Sequence, residues 1–259
     1  VKHPLFLWLR PALPIFRREV SRGLIAPLLP ERSTASLMTG FPILFIWIYF
    51  FAQIIRVNMI EAFLIVMLPL LFLVRVRVVL TAADAITGEV EQRTWDTLRT
   101  MPYSTETIVR SKFAGWLYRA RRLFYQMLAL RTFVGLGFAF VGPLIEQSYP
   151  NIWNRTEIFL PYVLAGAYFS AAVLLDYTTD GALGLAAGAF SGARGEALVR
   201  STTLGVASVA VQLAVDAALG LALIRNHRAD LAAILVIVAL RYVFMRGLLA
   251  LAARCAKAI

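Results

Sequence analysis

Apolar positions in this chain gather into long blocks instead of alternating with polar ones. Met38 to Ile55, Ile60 to Val74 and Leu231 to Leu240 are nearly free of charge. A run approaching about 20 such residues is enough to cross about 30 Å of hydrocarbon. The blocks predict six membrane-spanning helices, at 38–55, 59–80, 122–142, 157–190, 201–224 and 230–252. The fourth is longer than a bilayer requires, so it should tilt or continue beyond it. Ala and Gly dilute the fifth, and a broken or re-entrant segment is open there, tolerated only where protein covers the freed backbone groups. The expected architecture is an all-α integral membrane protein. Residues 1–37 form a cytoplasmic or interfacial segment, and 38–259 form a single six-span domain with a cytoplasmic insertion at 81–121.

Outside the blocks, two stretches have helical patterning of their own. Phe16, Val20 and Leu24 recur every four residues, with Arg17, Arg18, Ser21 and Arg22 on the other side. This predicts a short amphipathic helix in the interface with its arginines at lipid headgroups, or a plain cytoplasmic cap. After the second span, Thr94 is placed to cap a short helix with Asp96 in its first turn. Pro102 ends that helix, and Ser104, helped by Glu106, caps the next. In this next helix Ile108, Val109, Phe113, Trp116, Leu117, Ala120 and Phe124 share one face, which predicts a helix skimming the interface before the third span.

Composition sharpens the class. The chain of 259 residues is 60% hydrophobic and 16% charged, against about 25% charged in an ordinary soluble domain. Its net charge of +11 would suggest nucleic acid in a soluble protein. Here the basic residues sit between apolar blocks, so the charge reads as positive-inside bias and no nucleic acid is expected. Nineteen of the 26 Lys and Arg residues fall before the first span, in 75–122, at Arg194 and Arg200, or at Arg254 and Lys257; four fall in the opposite loops. That asymmetry predicts cytoplasmic N- and C-termini. Pro4, Arg10, Pro11 and Pro14 break up the first apolar stretch and argue against a cleavable signal peptide. Cys255 is the single cysteine, so neither an intrachain disulfide nor a cysteine zinc cluster is expected. No metal site, nucleophile–base pair or phosphate loop is visible, and intrinsic catalysis is not expected.

The segment 82–112 carries the functional signal. It resembles the permease subunits of ATP-binding-cassette transporters, specifically the type-2 exporter permease family. Those chains carry, after their second span, an alanine, an isoleucine, two acids, Gly-Thr, a helix ending in Leu, then Pro-x-Ser, Ile-Val and Lys. Ala83, Ile86, Glu89, Glu91, Thr94, Leu98, Pro102, Ser104, Ile108, Val109 and Lys112 match it. Arg93 departs from it, standing where the family has Gly. Gly181 to Gly184, Gly188 and Ser191 to Ala197 form a weaker second match, as does Phe16-Arg17-Arg18-Glu19. The resemblance implies that residues 89–101 form a coupling helix docking in a groove of a separate ATPase subunit. It offers Glu89, Glu91, Thr94, Trp95, Asp96, Leu98 and Arg99 as the contact. It further implies a dimeric membrane unit in the bacterial inner or plasma membrane, with ATP and Mg on the partner subunit, since no G-x-x-x-x-G-K loop occurs here. The alternative is a permease-like accessory or scaffold subunit of a larger membrane assembly in contact with lipids.

Charges inside spans are costly and face the bundle interior. At 1.5 Å per residue, Arg131, Asp216 and Arg241 come out roughly 12–17 Å from the outer ends of their spans, and Asp176 and Arg246 at about 24–27 Å. The expected contacts are an Asp216–Arg241 pair shared with Arg131, and a separate Asp176–Arg246 contact. Gly184, Gly188 and Gly192 align on one helix face for close packing, within the chain or at a dimer seam.

Overall fold

The computed structural model describes residues 13–26, 59–145, 156–191, 194–225 and 231–258, and every regular element in them is a helix. In chain order these are α1 (Leu13–Ser21), α2 (Met59–Glu91), α3 (Thr94–Arg99), α4 (Thr105–Arg119), α5 (Arg121–Ile145), α6 (Thr156–Ala171), α7 (Val173–Ala189), α8 (Arg194–Arg225) and α9 (Leu231–Ala258). The predicted span 38–55 and Gly192 lie outside the described residues.

Helix α2 carries the second apolar block and the start of the polar insertion as one rod of 33 residues. Nothing between 81 and 91 stops it. Thr81 and Thr87 turn their hydroxyls back to the carbonyls of Arg77 and Ala83, at 2.9 and 3.1 Å, so neither competes for a cap. Helix α8 is likewise unbroken, which removes the re-entrant option for the fifth block. The fourth block divides into α6 and α7 at Ala172.

The bundle is organised around α7, whose residues Asp176 to Ala189 are all buried. It packs against α2, α8 and α9, and touches α4 and α5. Its glycines let α2 approach. A Cβ on Gly184 would overlap the carbonyl oxygen of Val79, and one on Gly188 would overlap that of Ala83. The small-residue face is therefore used inside the chain. Because the obstacle is backbone, Gly184→Val should cost more than about 3 kcal/mol, and the protein should no longer purify as a monodisperse species.

Among the described residues, two helices are long and apolar enough to cross a membrane, over Gly195–Asp216 and Leu235–Lys257. Only 17% and 28% of these stretches is buried. Leu198, Val199, Val211, Leu235, Leu240 and Val243 are each 60% exposed or more. Outward-facing aliphatic surface of that extent is the reverse of a soluble core helix, and suits contact with lipid.

Candidate functional site

The turn that follows α2 is built by one strained residue. Arg93 has φ 55° and ψ 19°, the left-handed region that costs a side-chain-bearing residue about 1–2 kcal/mol. It reverses the chain so that α3 can start at Thr94. A glycine would hold the same backbone shape without that strain. Arg93→Gly should raise the thermal unfolding midpoint, by up to about 1 kcal/mol in stability; a lowered midpoint would show that its side chain holds the turn instead.

Thr94 is the first helical residue and not the cap. Its hydroxyl donates to the Glu89 carboxylate and, at 3.3 Å, to the Glu89 carbonyl. Ser104 does cap α4, accepting from the Thr107 amide at 3.2 Å. Helix α4 is not a skimming helix with one covered face. Ser111 through Trp116 are all buried, because α1 covers one side while α9, α2 and α7 cover others. Trp116 stacks on Tyr177 at 5.3 Å and occupies the space a side chain at Gly181 would need.

The knuckle is clamped by buried charge. Lys112 of α4 lies between two carboxylates, Glu89 of α2 at 2.7 Å and Glu19 of α1, and all three side chains are fully buried. Arg119 approaches Glu19 at 3.0 Å, Arg18 approaches Glu89 at 3.4 Å, and Arg22 contacts both acids. Gly115 makes this closeness possible, since a Cβ there would overlap the side chain of Glu19. Burial alone would raise the Glu89 carboxyl. Hydrogen bonds from Lys112 and Thr94, with the charges of Lys112 and Arg22, outweigh it and hold the group at about 2. Burial lowers the Arg119 guanidinium from its ordinary value, opposed by Glu19.

These contacts sort the residues offered as a partner surface. Trp95 and Leu98 are 2% and 0% exposed, packed into the chain's own core. With buried Glu89 and half-buried Thr94, they hold the knuckle in place and are not a free docking face. Glu91, Asp96 and Arg99 are exposed, as is Thr97 between them. Arg99 also reaches the carbonyl of Lys257 at 3.4 Å. That carbonyl lies at the C-terminal end of α9, where a cation is favoured.

A second polar centre lies inside the bundle. Arg75 donates to both carboxylate oxygens of Asp180, at 2.8 and 3.0 Å, and its remaining nitrogen is 3.2 Å from Asp176. Arg131 contacts Asp176, lies 2.9 Å from Asp216, and donates to the Phe169 carbonyl at 3.0 Å. Arg241 meets Asp176 at 2.7 Å and Asp216 at 2.6 Å, and the Tyr168 hydroxyl donates to Asp216 at 3.1 Å. Three arginines and three aspartates from α2, α5, α7, α8 and α9 thus form one charge-balanced cluster. All six residues are at most 8% exposed.

The shared Asp216–Arg241–Arg131 contact is present; the Asp176–Arg246 contact is not. Asp176 belongs to the same cluster, and Arg246 is exposed. Counting rise along the fourth block sets Asp176 apart from Asp216 and Arg241, whereas the packing of α7 against α2 and α9 brings it to all three arginines. Arg246 lies five residues beyond Arg241, about 140° around α9. Arg75 also moves, from a cytoplasmic charge to a buried one. The i,i+4 spacing of Asp176 and Asp180 is the signal for a buried cation partner.

Among the described residues no group of three His, Cys, Asp or Glu side chains is placed to hold a metal ion. Neither a family model, nor a characterised protein, nor a solved structure matches this chain.

Proposed function

We propose that the chain is the membrane-spanning subunit of an ATP-driven exporter, and that its α2–α4 knuckle receives work from a separate nucleotide-binding ATPase. In this reading the chain crosses a bacterial inner or plasma membrane six times, keeps both ends cytoplasmic and pairs with a second permease subunit. ATP and Mg belong to the partner.

One observation carries the reading. A continuous helix from the bundle ends in a short helix that is clamped to its own chain yet leaves Asp96, Thr97 and Arg99 outward. Force applied to an exposed loop dissipates in bending. Force applied to α3 passes through buried Trp95 and Leu98, and through the Glu89–Lys112–Glu19 contacts, into α1, α2 and α4 together. Transport then requires that nucleotide on the partner favour one arrangement of the bundle over another. Docking is assigned to the exposed residues Glu91, Asp96, Thr97 and Arg99, with Glu89, Thr94, Trp95 and Leu98 as the internal brace.

Purification of the tagged full-length chain from its native membrane tests the reading. The expected result is a co-purifying subunit with a phosphate-binding loop and ATPase activity. A stable assembly without any nucleotide-binding subunit would favour an accessory or scaffold role.

A further inference from the structure

A cavity of about 290 Å³ lies between α8 and α9, with α7 behind it. Val211, Val215, Leu240 and Phe244 form its walls. Each of these is 40–63% exposed on the outward apolar surface of the bundle, so the cavity opens sideways. Its inner part is different. Thr179 of α7 is 1% exposed and Arg241 is 8% exposed.

The polar groups there are unequally satisfied. Arg241 is committed to Asp176 and Asp216. Gln212, also in the lining, accepts from Arg75 and donates to Ser208 at 2.9 Å. The Thr179 hydroxyl is buried with no hydrogen-bond partner, whereas its neighbour Thr178 donates to the Leu174 carbonyl at 2.8 Å. Leaving such a group unpaired costs about 1–3 kcal/mol. A ligand that satisfied it would recover that cost while covering the apolar walls.

We propose that this cavity binds a membrane-dissolved, chiefly hydrocarbon molecule carrying one neutral hydroxyl or carbonyl oxygen, with that oxygen hydrogen-bonded to Thr179. The apolar walls select the hydrocarbon body. The neutral head follows from the adjoining cluster, whose three cations already match three anions. A carboxylate added beside Asp176 and Asp216, or an ammonium beside Arg241, would be an uncompensated charge in a water-poor interior. The site is independent of the knuckle, so it stands or falls separately from the exporter reading.

The test uses the full-length protein in lipid nanodiscs and a fluorescent conjugated-tetraene chain of eighteen-carbon type, supplied as its alcohol, its acid and its bare hydrocarbon. Fluorescence titration should show saturable binding of the alcohol at about one per chain, at least about tenfold tighter than the acid. Thr179→Val should weaken the alcohol by roughly fivefold to tenfold, the worth of one net hydrogen bond, and leave the hydrocarbon unchanged. Val215→Trp, on the outward-facing wall, should block all three while the protein stays monodisperse. Non-saturable partitioning, equal binding of alcohol and hydrocarbon, tighter binding of the acid, or insensitivity to both variants would overturn the proposal.

Discussion

Asp176→Asn should lower stability by about 3–5 kcal/mol, the largest loss expected from a near-isosteric change in this chain. Asp176 is the hub of the inner cluster, in contact with Arg75, Arg131 and Arg241. Its removal leaves three guanidinium groups facing two carboxylates, with the side chains of Arg75 and Arg131 wholly buried. The remaining charge cannot be hydrated without opening the bundle at its central helix. Pairing the change with Arg241→Gln restores a balance of two and two. The double variant should therefore recover more than half of the lost stability, read from unfolding midpoints in one detergent. If the two losses simply add, the residues are not coupled and the cluster is a set of separate pairs.

Lys112→Met should free the knuckle from the bundle. Lys112 is the fully buried cation between Glu19 and Glu89, so methionine keeps much of the volume and leaves both acids to the partly exposed Arg22, with Arg119 on Glu19 and Arg18 on Glu89. The cost is about 3 kcal/mol, the low end for breaking a buried ion contact, and it falls on α1 and the knuckle, not on the whole bundle. Ile15, 1% exposed on the covered face of α1, reports this directly. A cysteine placed there should resist alkylation while Lys112 is present and react rapidly once the Lys112→Met change is added. Unchanged protection would mean that apolar packing alone holds α1.

The same contacts set an acid limit. The Glu89 carboxyl is held at about 2 against an ordinary 4.5. A group whose folded value is depressed contributes stability that is complete above its unfolded value and disappears as pH falls through the folded one. The knuckle should thus be fully clamped above about pH 4.5 and open progressively toward pH 2. The contribution at stake is on the order of 3 kcal/mol. Glu89→Gln should flatten that acid limb.

Much of this organisation is legible in the residues, for identifiable reasons. Long apolar blocks can only be helices, and the described blocks are. The cap at Ser104 is a local bond between a side chain and an amide three residues away, so it needs no tertiary information. Asp216 and Arg241 can be paired because both interrupt apolar runs at similar depth. What the residues conceal has a common cause. Trp95 and Leu98 mark the apolar side of a six-residue helix, and a pattern says which side is covered without saying by whom. Arg75 stands at the end of an apolar block beside Arg77, where a loop cation and a buried cation look alike. Glu19 reads as one more charge on a basic helix, and only the fold brings Gly115 and Lys112 against it.

The most direct test of the knuckle's role is photo-crosslinking from position 97 in native membranes. Thr97 is exposed on α3 between Asp96 and Leu98, so a photoreactive residue there replaces no buried contact. The expected adduct contains a protein with a phosphate-binding loop, and its yield should change when ATP is added. An adduct only with proteins that cannot bind nucleotide, or none at all while the chain remains folded in the membrane, would contradict force transfer through this surface.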